Sequence, residues 1–186
     1  MRVISGRLKG KSIEFLKNLN TRPLKDSVKE NIFNILMHSK SINVKLKEAN
    51  ILDLYSGIGS FGIEAISRGA KKVTFIEKNQ LAINLLKKNL KKLKIFNEVE
   101  VFENNIHNVL SKKKLSRFDI IFFDPPFADD EYLKFIKLIK LKNFINKNHV
   151  IIVHREKNSK DELNNFMSIL SIKIYGRSKV IFGNFS

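Results

Sequence analysis

The sequence predicts an α/β fold with a seven-stranded, mostly parallel β-sheet that ends in an antiparallel hairpin. From residue 50 onward, short apolar runs alternate with longer amphipathic runs, which is typical of repeated strand, helix, strand units. Helices cover both faces of such a parallel sheet. We expect an N-terminal hairpin and helix extension over residues 1–40 and one main domain over residues 41–186.

The N-terminal extension begins with two short runs, Arg2 to Ser5 and Lys11 to Phe15, whose apolar members Ile4 and Phe15 are expected in the core. Gly6 and Gly10 separate the runs and favour a tight turn, which predicts a basic β-hairpin. Ser27 and Glu30 then have the spacing of a capping box, so a helix is expected to begin there. Residues 39–49 are polar and lysine-rich, and we expect a linker.

The main domain is predicted to contain five strands, three helices and a closing hairpin. Each strand is a short apolar run, whereas each helix is a longer amphipathic run. The strands are expected at Ile51 to Tyr55, Val73 to Ile76, Val99 to Phe102, Phe118 to Phe123 and His149 to Val153, the helices at residues 60–68, 79–94 and 130–142, and the hairpin strands at Ile169 to Tyr175 and Lys179 to Phe185, around Gly176.

Charge is the strongest signal in the composition. The 186 residues include 35 Lys or Arg and 18 Asp or Glu, a formal net charge of +17. A compact chain with this excess repels itself unless an anion lies against it, so nucleic acid is the first candidate partner. The alternative is a bias of the whole sequence toward Lys, Asn and Ile, which would place lysines on the surface without any partner.

Several classes of protein are excluded by the residue types. The chain has no cysteine, which excludes disulfides, Cys-ligated zinc and thiol catalysis. The 4 histidines form no metal-binding pattern, so we expect no metal. No uncharged apolar run reaches the ~18 residues of a membrane span. We therefore expect a cytoplasmic protein without membrane contact.

A glycine-rich segment between the first predicted strand and the next helix is the most informative motif. Gly57, Gly59 and Gly62 satisfy the G-x-G-x-x-G pattern, and Glu77 ends the following strand, where a ribose-binding acid is expected. Taken alone, this pattern fits a dinucleotide site, and glycine turns at strand ends also occur for packing only.

Asp53 favours a different cofactor. It lies four residues before Gly57 at the end of a strand, where its charge would repel the pyrophosphate of NAD. S-adenosylmethionine has no phosphate, carries an ammonium and a sulfonium, and has ribose hydroxyls that Glu77 could bind. We therefore prefer S-adenosylmethionine to NAD, with S-adenosylhomocysteine as the product.

A second motif, Asp124-Pro125-Pro126-Phe127, follows another apolar strand, at the edge where open α/β sheets bind ligands. Prolines stiffen the chain and lack amide donors, which leaves carbonyls available. Asp124 and the Pro125 carbonyl would accept both N–H bonds of a nucleobase amine, and Phe127 would stack on the base. Positioning of this kind can remove ~7–11 kcal/mol from a barrier. The alternative is a proline loop that only ends a strand.

These motifs together resemble the class I adenosylmethionine-dependent methyltransferases, through Asp53 to Ala70, Glu77 and Asp124 to Phe127. The fold that this resemblance implies is Rossmann-like. The glycine segment and Asp-Pro-Pro-Phe are shared by many methyltransferases, whereas the Glu64 to Ala70 continuation is more specific.

The chain resembles more closely the bacterial family that methylates the guanine N2 of small-subunit (16S) ribosomal RNA. Arg2 to Gly6 and Thr21 to Phe33 are similar to the start of that family, and Tyr175-Gly176 is similar to its closing hairpin. The resemblance covers nearly the whole chain. It implies an S-adenosylmethionine-dependent rRNA (guanine-N2-)-methyltransferase.

The resemblance also implies site residues by position. Asp124, Pro125, Pro126 and Phe127 are the candidate catalytic residues. Where the family usually has an acid that binds the adenine amino group, this sequence has Asn105, whose carbonyl can accept the same hydrogen bond. The candidate cofactor-binding residues, of which Arg22 and Pro23 would close over the pocket, are Arg22, Pro23, Asp53, Tyr55, Ser56, Gly57, Gly59, Glu77, Lys78, Asn105, Ile106 and Asp124.

The basic N-terminal extension fits an RNA substrate. Neutralised phosphates would make binding salt-dependent, with a slope of roughly −0.7 to −0.9 per phosphate. We expect a monomer whose partner is ribosomal RNA, naked or within a small-subunit assembly particle. For any single lysine the alternative is a solvated surface. The candidate RNA-binding residues are Arg2, Arg7, Lys9, Lys11, Lys25 and Lys29.

Three other functions stay open at this point. An adenine-N6 DNA methyltransferase would use the same pair of acceptors. A nicotinamide-dependent oxidoreductase would use the glycine segment to hold a pyrophosphate, and a non-catalytic RNA-binding or assembly protein would retain the fold without methyl transfer.

Overall fold

The computed structural model describes residues 1–15 and 24–185 of the chain. Arg22 and Pro23 lie outside the described residues. The strands are β1 (Asn50–Leu54), β2 (Lys72–Glu77), β3 (Val99–Glu103), β4 (Phe118–Phe123), β5 (Ile145–Glu156), β6 (Ser168–Tyr175) and β7 (Ser178–Asn184), and the helices are α1 (Asp26–His38), α2 (Ser60–Ser67), α3 (Gln80–Leu93), α4 (Ile106–Lys112) and α5 (Tyr132–Leu141).

The strands form one seven-stranded sheet in the order β3-β2-β1-β4-β5-β7-β6. The pairs among β1 to β5 are parallel, whereas β7 is antiparallel to both β5 and β6. The order reverses at β1, which has β2 on one side and β4 on the other. This arrangement confirms the predicted α/β fold and its closing antiparallel hairpin.

The apolar residues of the sheet point alternately to its two faces, because successive side chains of a strand do so. Ile51, Ile120 and Ile152 belong to the cluster that packs with residues of α1, α2 and α3. Leu52, Ile121 and Ile151, their immediate neighbours, belong to the cluster that packs with α4 and α5.

The N-terminal segment is paired as a short hairpin. Its isolated antiparallel bridge joins Arg2 and Ser12, and the Val3 amide donates to the Lys11 carbonyl at 2.9 Å. Val3 is buried in the same cluster as α1 and the sheet. Phe15, expected in the core, is instead 40% exposed, and Ile4 is half-buried. The division of the chain at residue 40 stays a prediction.

The segment predicted as a linker is packed against the main domain. Ile42, Val44, Leu46 and Ala49 are buried in the cluster that includes Ile51. Every second residue from 42 to 46 is apolar, so an extended chain can bury one side while its lysines and asparagine stay exposed. The average composition of residues 39–49 is polar, so it did not indicate that one side of this segment is buried.

The start of α1 differs from its prediction. The helix begins at Asp26, and the Lys29 amide donates to the Lys25 carbonyl at 2.9 Å, which places Ser27 within the first turn. No side chain among the described residues caps this end. The predicted capping box of Ser27 and Glu30 is wrong because the helix starts one residue before it. Asp26 instead supplies the negative charge that a helix N-terminus favours.

One helix, α4, has no counterpart in the sequence prediction. It has only 7 residues, of which Ile106, Val109 and Leu110 are buried. Two turns are too short for an apolar period to stand out from a polar background. Among the helices of residues 1–15 and 24–185, none combines the length and the apolar composition that a membrane span needs.

Candidate functional site

The point where the strand order reverses lies between β1 and β4. Their last residues, Leu54 and Phe123, are partners in the parallel ladder, and the Asp124 amide donates to the Leu54 carbonyl at 3.4 Å. The loops that follow both strands therefore lie at the same edge, where ligands bind in open α/β sheets. We call them the glycine turn (Tyr55 to Gly59) and the Pro-Pro corner (Asp124 to Phe127).

The glycine turn needs its glycines for different reasons. Gly57 and Gly59 have φ values of +54° and +79°, which disfavour other residues. At Gly59 a Cβ would lie 2.4 Å from Leu86 Cδ1, so packing also requires glycine there. At Gly57 an added Cβ would meet no atom within 4 Å among the described residues. Within the part of the chain that the structure describes, Gly57 thus borders open space, as a residue that cradles a ligand would.

Tyr55, the first residue of this turn, also has a positive φ, +56°. This conformation costs energy for a residue with a Cβ and often occurs at functional sites. Its hydroxyl is buried without a hydrogen-bond partner among the described residues, and its ring lies 6.4 Å from that of Phe135. Burial and, secondarily, the charge of Asp129 raise the pKa of Tyr55, so the phenol stays protonated.

Asp53 holds the glycine turn to the helix that follows it. The side chain is 1% exposed, and its Oδ2 accepts a hydrogen bond from the Gly62 amide at 3.0 Å. Burial raises the pKa of Asp53 well above its ordinary value; the Gly62 bond opposes this, and the charges of Asp124 and Glu77 add to it. A cation bound nearby would relieve this repulsion. Direct contact of Asp53 with a ligand stays a prediction.

Glu77 connects the end of β2 to the glycine turn. Its Oε2 accepts from the Gly57 amide at 2.8 Å, and its Oε1 accepts from the amides of Lys78 and Asn79 at 2.8 and 2.7 Å. Lys78 itself is exposed, and the Ser56 amide donates to the Ile76 carbonyl at 3.3 Å. Oε2, which accepts only the Gly57 amide, keeps a lone pair for a ribose hydroxyl, whereas Oε1 already accepts two hydrogen bonds.

Asn105 and Ile106 lie where α4 begins. Asn105 is the N-cap of the helix, and its Oδ1 accepts from the Asn108 amide at 2.8 Å. Ile106 is 7% exposed. The Asn105 Oδ1 retains a second lone pair. In the predicted adenine contact, this single oxygen would accept from the Asn108 amide and from the adenine amino group at the same time. That contact stays a prediction.

The Pro-Pro corner is held from β5 by a residue that sequence reasoning missed, Arg155. Its Nη1 donates to the Pro126 carbonyl at 3.1 Å and its Nη2 to the Phe127 carbonyl at 3.0 Å. No donor among the described residues binds the Pro125 carbonyl or Oδ2 of Asp124. Within residues 1–15 and 24–185, the two acceptors predicted to bind an amine therefore have no donor, and Phe127 is 37% exposed beside them.

Arg155 is itself fixed by buried partners. Its Nε donates to Asp161 Oδ1 at 2.9 Å, and its guanidinium lies 4.7 Å from the ring centre of Tyr132. The Tyr132 hydroxyl donates to the same oxygen at 2.7 Å. Burial alone would raise the pKa of Asp161, but the hydrogen bonds from Ser159 and Tyr132 and the charge of Arg155 lower it.

His154, also missed, binds the carboxylate of the corner. Its Nδ1 lies 2.7 Å from Asp124 Oδ1, and its side chain is 9% exposed. A signal existed in the sequence. In the sequence, His154 and Arg155 directly follow the apolar run His149 to Val153, and in the structure they lie in the C-terminal part of β5, near the edge of the sheet where the two motifs lie. Considering histidines only as metal ligands overlooked this position.

The candidate RNA-binding residues lie mostly at the surface. Arg2, Arg7, Lys9, Lys11 and Lys25 are exposed, and Arg7 pairs with Glu98. Lys29 is the exception: its side chain is fully buried and its Nζ lies 3.3 Å from Asp26 Oδ1. Lys29 was therefore wrongly placed on an exposed basic face, because it belongs to the buried side of α1.

The hairpin that carries Arg2, Arg7, Lys9 and Lys11 docks on the far end of α2. The Arg7 amide donates to the Ser67 carbonyl at 2.8 Å and the Leu8 amide to Ser67 Oγ at 2.9 Å, whereas the glycine turn precedes Ser60 at the other end. An α-helix of this length measures ~12 Å. The basic hairpin is therefore separated from the glycine turn by the length of α2.

Comparison with known proteins agrees with this geometry. Residues 1–184 match the protein family described as Conserved hypothetical protein 95. Ribosomal RNA small subunit methyltransferase D of Buchnera aphidicola is 40% identical over 155 residues, 83% of this chain and 78% of that protein, and its namesake in Haemophilus influenzae is 37% identical over 159 residues, 84% and 79%. The solved structure of a candidate methyltransferase from Escherichia coli, yhhF, superimposes with a TM-score of 0.82 at 27% identity, covering 100% of this chain and 98% of its own.

Proposed function

Because this chain belongs to the Conserved hypothetical protein 95 family, whose relatives include named ribosomal RNA methyltransferases, we propose that it methylates the exocyclic N2 amine of a guanine in small-subunit (16S) ribosomal RNA. Its cofactor, S-adenosylmethionine, follows from membership in this group of methyltransferases. The observation that carries the proposal is the ladder pairing of Leu54 with Phe123, which places the glycine turn beside the Pro-Pro corner.

The glycine turn fits S-adenosylmethionine. Gly57 borders open space, and Asp53, Glu77 and Asp124 give this edge a concentration of carboxylates. The cofactor supplies a methyl group on a positively charged sulfur, which such an edge attracts. We expect the methionine end of the cofactor to lie against Asp53, Ser56, Gly57 and Gly59. Glu77 would hold the ribose hydroxyls, and Asn105 would bind the adenine.

The Pro-Pro corner fits a flat base with an exocyclic amine. The amine nitrogen is a poor nucleophile while its lone pair is delocalised into the ring. Asp124 Oδ2 and the Pro125 carbonyl would accept its two hydrogens, which keeps the nitrogen directed toward the methyl carbon. Phe127 would stack on the face of the base, and Asp124 would take the released proton or pass it to water.

Transfer assays with an Asp124→Ala variant test this proposal. We expect the variant to bind S-adenosylmethionine with little change by calorimetry and to transfer the methyl group from a radiolabelled cofactor at least ~100-fold more slowly. Asp130→Ala, an exposed neighbour in the following loop, is the matched control and should keep wild-type activity. Full activity of Asp124→Ala would contradict the mechanism.

The identity of the product decides between the functions that the same acceptors allow. Reactions on naked 16S ribosomal RNA, on small-subunit particles and on DNA, followed by digestion and mass spectrometry, should yield N2-methylguanine in RNA. N6-methyladenine in DNA would instead establish the DNA alternative. RNA binding without transfer on any of these substrates would establish a non-catalytic role, and NADH bound far more tightly than S-adenosylmethionine would favour an oxidoreductase.

A further inference from the structure

His154 occupies a special place in the Pro-Pro corner. Val153, the residue before it, pairs with Phe123 in the parallel ladder between β5 and β4, so His154, within β5, lies beside Asp124, the first residue after β4. Nδ1 of the histidine lies 2.7 Å from Oδ1 of the aspartate. The imidazole also meets the ring of Phe127 edge-on, with 6.2 Å between ring centres. One side chain thus touches both ends of the motif.

The hydrogen bond determines which ring nitrogen donates to Asp124. A carboxylate only accepts hydrogen bonds, so Nδ1 must carry the hydrogen and donate it to Asp124. The other nitrogen, Nε2, is buried and has no hydrogen-bond partner among the described residues. As far as the described part of the chain goes, the polar interaction that holds this ring therefore involves Nδ1 alone.

The same bond constrains the carboxylate. An aspartate side chain can rotate about its terminal bond and exchange its two oxygens. A donor fixed on Oδ1 removes this freedom and leaves Oδ2 as the oxygen available to an incoming amine. Arg155 binds the Pro126 and Phe127 carbonyls in parallel, which holds the backbone of the corner next to the Pro125 carbonyl.

We propose that His154 is a positioning residue for methyl transfer, which orients the Asp124 carboxylate through its Nδ1 hydrogen. This proposal rests on the proposed function of the Pro-Pro corner. His154 acts through Asp124 and does not itself contact the substrate. A misplacement of about 1 Å at a reacting group can cost ~100-fold in rate, so the loss of this bond should reduce turnover and leave cofactor affinity intact.

Two amide substitutions at His154 distinguish the role of Nδ1 from that of Nε2. In His154→Asn the side-chain NH2 group can occupy the place of Nδ1, whereas in His154→Gln it reaches only toward the place of Nε2. We expect His154→Asn to keep kcat within a few-fold of wild type and His154→Gln to lose ~10–100-fold in kcat. The KM for S-adenosylmethionine should change by less than about 3-fold in both.

His149 on the same strand provides the matched control. Its Nδ1 lies 2.9 Å from the Asn146 carbonyl and its Nε2 accepts from the Phe185 amide at 2.9 Å, so it is a buried histidine with structural partners. His149→Gln should alter thermal stability without separating kcat from KM. If the two His154 variants have equal kcat, whether both keep it or both lose it, the orienting role is wrong.

A measurement independent of activity completes the test. Long-range proton–nitrogen NMR correlations on the wild-type protein distinguish the Nδ1–H from the Nε2–H tautomer of each histidine. We expect His154 as the Nδ1–H tautomer, and a change in its nitrogen shifts in Asp124→Ala. An Nε2–H tautomer would overturn the proposal even if methyl transfer is confirmed. Conversely, an Nδ1–H tautomer with a product other than N2-methylguanine would overturn only the proposed function.

Discussion

Arg155 donates a hydrogen bond from Nε to Oδ1 of Asp161 at 2.9 Å, and both side chains are 5% exposed. The same guanidinium donates to two carbonyls of the Pro-Pro corner. A buried ion pair near the C-terminal end of β5 therefore supports the partly exposed loop that follows the neighbouring strand β4. The geometry of the candidate site depends on residues that would not contact any ligand.

Arg155→Met should destabilise the fold and misplace the Pro-Pro corner. The variant leaves Asp161 with Lys179 at 3.2 Å as its remaining cation, so we expect the free energy of unfolding to fall by roughly 2–3 kcal/mol. Urea denaturation at pH 7 measures this, with exposed Lys157→Met as the control. A loss below ~0.5 kcal/mol would contradict the assigned role.

The effect of Arg155→Met should depend on pH. The pKa of Asp161 is below its ordinary value of 3.8 in the folded protein, so the stabilisation is complete above that value and is lost as pH falls through the folded pKa. The difference in unfolding free energy between wild type and variant should therefore shrink in acid. A difference that grows below pH 4 would be inconsistent with an ionised, paired Asp161.

The glycines of the glycine turn should respond differently to alanine. In Gly59→Ala the new methyl group meets buried Leu86 at 2.4 Å, in addition to the cost of a positive φ, and we expect a loss of roughly 2–4 kcal/mol. In Gly57→Ala only the cost of the backbone conformation remains, ~1–2 kcal/mol. Calorimetry should show weaker S-adenosylmethionine binding by folded Gly57→Ala, and unchanged affinity would remove Gly57 from the cofactor site.

Asp53→Asn should stabilise the protein at neutral pH. Burial raises the pKa of Asp53, so the folded state binds a proton more tightly than the unfolded state, and wild-type stability decreases as pH rises from the ordinary value of 3.8 through the folded pKa. Asparagine keeps an oxygen for the Gly62 amide and carries no charge. The variant's melting temperature should exceed that of wild type at pH 7, and the difference should disappear toward pH 3.8. A lower melting temperature at pH 7 would contradict this.

Glu64→Gln should loosen the N-terminal segment. The carboxylate is fully buried and accepts from the amides of Ile4 at 2.7 Å and Ser5 at 3.0 Å, and from Arg68 Nε at 2.7 Å. The amide keeps only one acceptor oxygen and leaves Arg68 without its charged partner, a loss of ~3 kcal/mol. Hydrogen exchange should accelerate at the Ile4 and Ser5 amides. Exchange unchanged at both would refute the anchoring role.

Patterns within a few neighbouring residues predicted most of the fold. The apolar runs at Ile51, Val73 and Phe118 predicted strands because a fully buried strand needs apolar residues on both faces. Local patterns did not predict elements whose pattern is short or mixes apolar with polar residues. Examples are α4 and the half-buried segment from Ile42 to Leu46. The average composition of a segment does not show that its apolar and polar residues alternate.

The two motifs of the candidate site could likewise be predicted, because each is a loop that directly follows a strand, and parallel strands end at a common edge. The residues that support these motifs, His154 and Arg155, could not be predicted in this way. His154 is 30 residues from Asp124, and Arg155 is 29 and 28 residues from the carbonyls that it binds. Separations of this size carry no periodic signal.

The amino-acid sequence by itself determined the succession of strands and helices, the glycine turn and the Pro-Pro corner, since these depend on local backbone preferences and on apolar spacing. The tertiary structure alone decided that Lys29 is buried, that Glu64 anchors a segment 60 residues away and that His154 binds Asp124. Burial and hydrogen bonds between distant side chains depend on how the elements pack, which no local pattern encodes.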